Sequence, residues 1–223
     1  MNLRFKFRRL VRNRVVWTGT AMNLRFKFRR WINRLQNAHY VRSRLIPDAE
    51  PVKVSAFQTR SHNKIHARNY EPVWLSDLDR LIKTDRTKTS DYHFLDIGCG
   101  KGVSTLYVKE HYHFRSVTGF DFVPDFIEAA ERNLKASTVK GPIDFFIGDA
   151  GDWLLDDRRW FLFLYNPFSD HVLEQFMRNN IDLLRQTQSV MAYANAQELD
   201  TVASFPHEMI YRLPSIRSAV ILF

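Results

Sequence analysis

Nine residues, Phe94–Gly102, read FLDIGCGKG, an apolar run that ends in an acid and passes at once into Gly98, Gly100 and Gly102. Without a Cβ, glycine lets the backbone turn sharply and lets a ligand come close. A helix that starts just after such a loop presents unpaired N–H groups. The combination can cradle a dinucleotide or another nucleoside ligand. The dinucleotide fingerprint G-x-G-x-x-G is not met, because the third glycine comes one residue early, and this disfavours nicotinamide-dependent oxidoreduction. The phosphate loop G-x-x-x-x-G-K-[ST] fails as well, since Leu95 and Gly102 stand at its first-glycine and hydroxyl positions. Lys101 is therefore not a phosphate lysine of that type. Two further acids close the apolar runs that follow, Asp121 of GFDF and Asp149 of FIGDA. A carboxylate can accept from two vicinal hydroxyls at once. A fourth run ends in LYNPF, which sets the amide of Asn166 in a turn beside Pro167 and the ring of Phe168.

The elements that must position these residues alternate along the chain. Val73–Lys83 has apolar residues at near-helical spacing, and His93–Gly98 is a short apolar strand. Val103–Glu110 follows as a helix, Ser116–Asp121 as a strand, and Pro124–Lys135 as a helix with proline suited to its first turn. Strands are predicted at Ile143–Ile147, Trp160–Tyr165 and Ser189–Ala194, with a helix over about 170–184. Glu208–Leu213 and Arg217–Phe223 flank a Pro-Ser turn and read as a closing hairpin. This alternation predicts an α/β fold with a doubly wound, mostly parallel seven-stranded sheet. Every acid and the Asn-Pro turn then fall at carboxyl ends of strands, the edge where ligands bind in such folds.

The segment FLDIGCGKG resembles motif I of the class I, Rossmann-like S-adenosylmethionine-dependent methyltransferases, and the likeness continues through most of 70–223. The resemblance implies S-adenosylmethionine as cofactor, with Asp96 near its methionine end and Gly98, Gly100 and Gly102 lining it. It implies Asp121 on the ribose hydroxyls, Phe122 flanking the adenine, Asp149 near the adenine amino group and Ala150 beside the ring. LYNPF is similar to the Asn/Asp-Pro-Pro-aromatic tetrad of amino-group methyltransferases. There a polar side chain and a backbone carbonyl accept from the target nitrogen and an aromatic ring packs on the methylated group. Carried over, Asn166 is the acceptor, Pro167 the turn residue and Phe168 the wall; one proline is missing from the tetrad. Tyr70-Glu71-Pro72 resembles the Tyr-x-Pro element ahead of motif I in a bacterial set with DxGxGKG and YNPF motifs, and in seven-strand lysine methyltransferases, where the tyrosine covers the cofactor cleft.

The chain has 223 residues and a formal net charge of +9, but the charge is uneven. Residues 1–50 carry 13 Lys or Arg against two acids, whereas residues 51–223 carry 20 against 22. The basic part contains MNLRFKFRR twice without change, at Met1–Arg9 and Met22–Arg30. In the second copy Leu24, Phe28, Trp31, Ile32 and Leu35 form an apolar stripe at helical spacing, with cations between them. The first copy alternates strictly, so a strand is open there. A basic amphipathic helix can lie on an anionic membrane surface, grip nucleic acid, or dock a partner. Its stripe can equally pack on the following domain as a lid. The organisation read here is a basic extension over 1–46, a linker over 47–66 broken by Pro47 and Pro51, and an S-adenosylmethionine-binding domain over 67–223.

No run reaches the roughly 18 apolar residues of a membrane span, and no signal peptide is visible. The single cysteine, Cys99, fits a reducing compartment. These features point to the cytoplasm, with peripheral membrane attachment as a variant. No Cys/His cluster has metal spacing, so no metal is expected. His111, His113 and His171 read as surface or capping residues, and the Asp152, Asp156, Asp157 run as a solvated loop. The activity implied is in-line transfer of the sulfonium methyl to a small molecule or protein, with an amine as the acceptor class that LYNPF suggests. The alternative is a non-catalytic S-adenosylmethionine-binding scaffold, tethered to membrane or nucleic acid by the basic helix.

Overall fold

A computed structural model describes residues 19–84 and 88–223, with side chains from residue 28 onward. The first MNLRFKFRR copy lies outside the described residues. The described residues begin with helix α1 (Gly19–Ser43), followed by α2 (Leu75–Thr84). It then runs β1 (His93–Ile97), α3 (Val103–His111), β2 (Val117–Asp121), α4 (Pro124–Ala136), β3 (Asp144–Ile147) and β4 (Trp160–Leu164). The remainder is α5 (Asp170–Gln186), β5 (Val190–Tyr193), α6 (Leu199–Ala203), β6 (Met209–Leu213) and β7 (Ser218–Leu222). All strands join one seven-stranded sheet in the order β3-β2-β1-β4-β5-β7-β6. Strands β1 to β5 are mutually parallel, and β7 runs antiparallel between β5 and β6. The α/β sheet and closing hairpin are those the sequence predicts, with strand ends within a residue or two.

Strand β4 explains why the sheet is central. All five of its residues, WFLFL, are buried, as a parallel strand covered on both faces requires. Alternate side chains feed two cores. Phe94, Phe161, Phe163 and Val220 face α2 and α3, with Leu78, Leu81 and Leu106. Leu95, Leu162, Met191 and Ile221 face α5, with Leu173, Phe176 and Met177. Helix α5 carries its apolar residues on one side, so a single stripe is enough to cover that face.

Two features depart from the sequence reading. The five-residue α6 was not predicted, because one turn and a half gives periodicity nothing to show. Residues 47–66, read as a linker, lie against the domain instead, in two short 3-10 segments tied by hydrogen bonds to the sheet's carboxyl edge. Among the described residues no helix is long and apolar enough to cross a membrane.

Candidate functional site

The chain leaves β1 toward β2 on one side and returns in β4 on the other, so a crevice opens outside the carboxyl ends of β1 and β4. A cavity of about 360 Å³ occupies it, lined among others by Asp96, Gly98, Asp121, Phe122, Ala150 and Asn166. The glycine loop is built on unusual backbone. Gly98, Gly100 and Gly102 have φ of 71°, 53° and 76°, in the left-handed region that only glycine enters freely. A Cβ on Gly98 would stand 2.5 Å from the Pro167 side chain, so the glycine loop and the Asn-Pro turn touch. A Cβ on Gly100 would stand 2.1 Å from the Tyr70 ring, which lies on the loop. Gly102 caps α3, and a Cβ there would crowd Ala130 and Phe145.

The two inner acids are buried. Asp96 is 2% exposed, and its Oδ2 accepts from Ser104 Oγ at 2.6 Å and Thr105 Oγ1 at 2.7 Å. Burial pushes its carboxyl up to about 6, with both hydroxyls pulling the other way. Asp121 is 6% exposed; its Oδ2 accepts from the Gly100 N–H and its Oδ1 from the Val123 N–H, both at 3.0 Å. Burial raises this carboxyl to about 6 as well, the backbone N–H groups opposing and the Asp96 charge adding. Asp121 thus holds the glycine loop in shape. A carboxylate has about four lone-pair sites, which leaves acceptor capacity toward the cavity.

Asp149 is engaged differently. Its Oδ1 accepts from Asn63 Nδ2 at 2.8 Å and the Gly151 N–H at 2.9 Å, and its Oδ2 accepts from Ser61 Oγ. It therefore pins residues 61–63 across the crevice. The same strap is fixed at its start by an ion pair between Asp48 and Lys101, whose ammonium lies 5.7 Å from the Tyr70 ring centre. Thr59 Oγ1 donates to the Phe122 carbonyl at 2.9 Å, and Val52 and Tyr70 bridge each other. Phe57 packs edge-on against Phe122 and Phe126. Phe122 and Ala150 both line the cavity.

At the end of β4, Asn166 takes φ 47° and is 5% exposed. The Tyr193 hydroxyl donates to Asn166 Oδ1 at 3.1 Å and accepts from the Glu198 N–H at 3.4 Å. The Pro167 carbonyl accepts from the Arg68 N–H at 2.9 Å, and Ala67 bridges to Phe168, which is 9% exposed. The strap is thereby stitched to the Asn-Pro turn. Burial raises the Tyr193 phenol, so it stays a hydroxyl donor through the neutral range.

The structure therefore brings Tyr70, Asp96, Gly98, Asp121, Phe122, Asp149, Ala150, Asn166, Pro167 and Phe168 to one cavity. Gly100 and Gly102 shape its floor beneath Tyr70 and at the start of α3. Sequence reasoning missed Ser61 and Asn63, which sit in an aperiodic segment, and Tyr193, which looks like a core residue at the end of an apolar strand. Ser104 and Thr105 carried a readable signal, two hydroxyls in the first turn of the helix after the glycine loop. Among the described residues no group of three or more His, Cys, Asp or Glu is placed to hold a metal ion.

Residues 94–187 match a protein family described as a methyltransferase domain. Over 78 residues the chain is 33% identical to the demethylmenaquinone methyltransferase of Leptospira interrogans, a stretch covering 35% of this chain and 30% of that protein. The chain thus spans under a third of the length of the curated relatives it matches. Among solved structures, one from Listeria monocytogenes, described as a predicted N6-adenine-specific DNA methylase, superposes with a TM-score of 0.51 at 12% identity. That match covers 68% of this chain and 51% of the other. An RNA methyltransferase from Salinibacter ruber, in complex with S-adenosylhomocysteine, gives a TM-score of 0.48 at 16% identity, over 68% and 92%. At 12% identity the likeness to the Listeria structure is one of fold.

Proposed function

We propose, from the premise that residues 94–187 are an S-adenosylmethionine-dependent methyltransferase domain on a class I, Rossmann-like fold, that this chain passes the sulfonium methyl in line to an amine nitrogen. What the cofactor supplies when bound is an electrophilic methyl on positively charged sulfur. The residues present suit it. Two buried carboxylates flank a glycine loop in left-handed conformation, and Phe122 and Ala150 offer an apolar slot beside them. Asp121 is assigned to vicinal hydroxyls, Asp96 to the charged amino-acid end, and Tyr70 to covering the loop. Asp149 accepts the adenine amino group only with lone pairs left over from Ser61, Asn63 and Gly151.

The observation that carries the acceptor assignment is Asn166, held in a left-handed turn at the end of β4 with its amide oxygen fixed by Tyr193. That oxygen and the Pro167 carbonyl each already take one hydrogen bond, and each retains a second lone pair. Two acceptors converging on one N–H-bearing nitrogen align its lone pair with the methyl carbon, and alignment is the main requirement of such a displacement. Phe168 closes the wall beside them. The buried Cys99 thiol fits a reducing, cytoplasmic setting. The DxGxGKG and YNPF motifs support reading the chain as a member of the bacterial set that carries both.

The same double engagement of Asn166 and Pro167 favours a second reading, a scaffold that binds the cofactor without using it. Incubating the protein with radiolabelled S-adenosylmethionine and cell extract separates the two. Labelled product stable to mild alkali, as N-methyl groups are, supports the amine assignment, with Asn166→Ala lowering the rate about a hundredfold by loss of alignment. Label released by alkali as from a methyl ester contradicts it. Cofactor binding with no transfer establishes the scaffold.

A further inference from the structure

Helix α1 docks on the domain by the side opposite to its apolar stripe. Arg29 pairs with Asp77, Asn33 Oδ1 accepts from Ser76 Oγ at 2.8 Å, and Asn37 Nδ2 donates to the Val73 carbonyl at 2.6 Å. One helical turn further on, Tyr40 enters the core with Leu78 and Leu81. These residues sit at i, i+4, i+8 and i+11, a single face at 3.6 residues per turn. Phe28, Trp31 and Leu35 project from the other side and are 61%, 57% and 50% exposed. The rings of Phe28 and Trp31 stack on each other with centroids 6.0 Å apart. Ile32 is half-buried, whereas Phe28, Trp31 and Leu35 face away from the domain rather than closing over it as a lid. Exposed Arg34 lies beside the stripe, and Arg30 and Arg42 are further exposed guanidinium groups on the same helix. No Asp or Glu occurs between Gly19 and Pro47.

We infer that this face of α1 is a membrane-surface helix, and that its partner is an anionic lipid bilayer. The argument is complementarity of two kinds. Aromatic and aliphatic groups flanked by guanidinium groups match the boundary between acyl chains and anionic headgroups, where Trp is at home and Arg meets phosphate. A face meant for nucleic acid would lead with its cations, since phosphate contacts supply the affinity. Here the centre of the face is apolar and the cations lie beside it. A second copy of the chain is also a poor occupant. An antiparallel two-fold contact across the stripe would bring the Arg34 edges of the two copies together.

Sedimentation of the full chain with phosphatidylglycerol/phosphatidylcholine vesicles tests this directly. The protein is expected to bind the mixed vesicles, to bind pure phosphatidylcholine far less, and to release at high salt. Changing Phe28→Ser, Trp31→Ser and Leu35→Ser together is expected to weaken vesicle binding about tenfold or more while leaving the melting temperature unchanged, since all three are exposed. Arg30→Gln with Arg34→Gln is expected to remove most of the preference for anionic vesicles. Vesicle binding unaltered by the triple substitution overturns the inference. So does failure of the wild-type chain to bind vesicles, whether it instead retains an RNA oligonucleotide or loses a dimer on triple substitution.

Discussion

At the scale of single residues, the site is defined by two almost wholly buried carboxyls at the wall of the cavity. Asp96 and Asp121 are both raised to about 6 by burial, so near neutral pH they are ionised by a modest margin. Accepting a ligand's hydroxyl and ammonium donors requires the ionised form. Affinity for S-adenosylmethionine should therefore be full above about pH 7 and fall as the pH drops through 6, several-fold by pH 5.5. Asp121→Asn should bind weakly at every pH and flatten that profile; calorimetric titration across the range measures both. A wild-type affinity constant from pH 7.5 to 5.5 contradicts the assignment. A lone acid at a strand end is usually a cap or turn residue; these were legible because acids close successive apolar runs behind one glycine loop. Tyr193 was not, since a tyrosine ending a buried strand looks like packing until Asn166 is seen under its hydroxyl.

At the scale of elements, the strap of residues 48–70 explains how the cavity is closed and why it was misjudged. It is held by hydrogen bonds of backbone and side chains and by two ion pairs, Asp48–Lys101 and Arg68–Glu198, rather than by a long helix or strand, so it has no period to detect. Pro47 and Pro51 mark its bends, which from sequence alone look like a linker. Four of its ties reach cofactor-side residues: Lys101 in the loop, Phe122, Asp149 and Pro167. Cofactor and strap should therefore stabilise each other. Hydrogen exchange at the Val52, Arg68 and Tyr70 amides, whose bonds close the strap, is expected to slow at least tenfold on saturation with S-adenosylmethionine. Exchange at these amides that ignores the ligand would show that the strap is scaffold only. The strands and all the domain's helices but the short α6, by contrast, announced themselves, because apolar residues at period 3.6 or in continuous buried runs leave little choice.

At the scale of the whole molecule, the basic extension and the domain are not separable at residue 46 or 66. Tyr40 and Ile46 are 7% and 5% exposed within the core that α2 and α3 share, and Asp48 is tied to Asn133 through both its N–H and its carbonyl. Tyr40→Ala is expected to cost about 3 kcal/mol of folding stability, in the range for removing a large buried ring, read as a drop in the urea midpoint. A change under about 0.5 kcal/mol would mean that α1 detaches freely. The sequence showed that an amphipathic helix was present but not which face would dock. Its polar face carries Arg29, Asn33 and Asn37, whose partners, Asp77, Ser76 and the Val73 carbonyl, become neighbours only after folding.

The proposed methyl transfer requires that the crevice between β1 and β4 takes S-adenosylmethionine. Calorimetric titration of the purified chain with S-adenosylmethionine, S-adenosylhomocysteine and NADH tests it most directly. The account expects micromolar binding of both adenosyl ligands, lost on Asp121→Ala, and no binding of NADH. No heat with either adenosyl ligand, or NADH binding of similar strength, would contradict it.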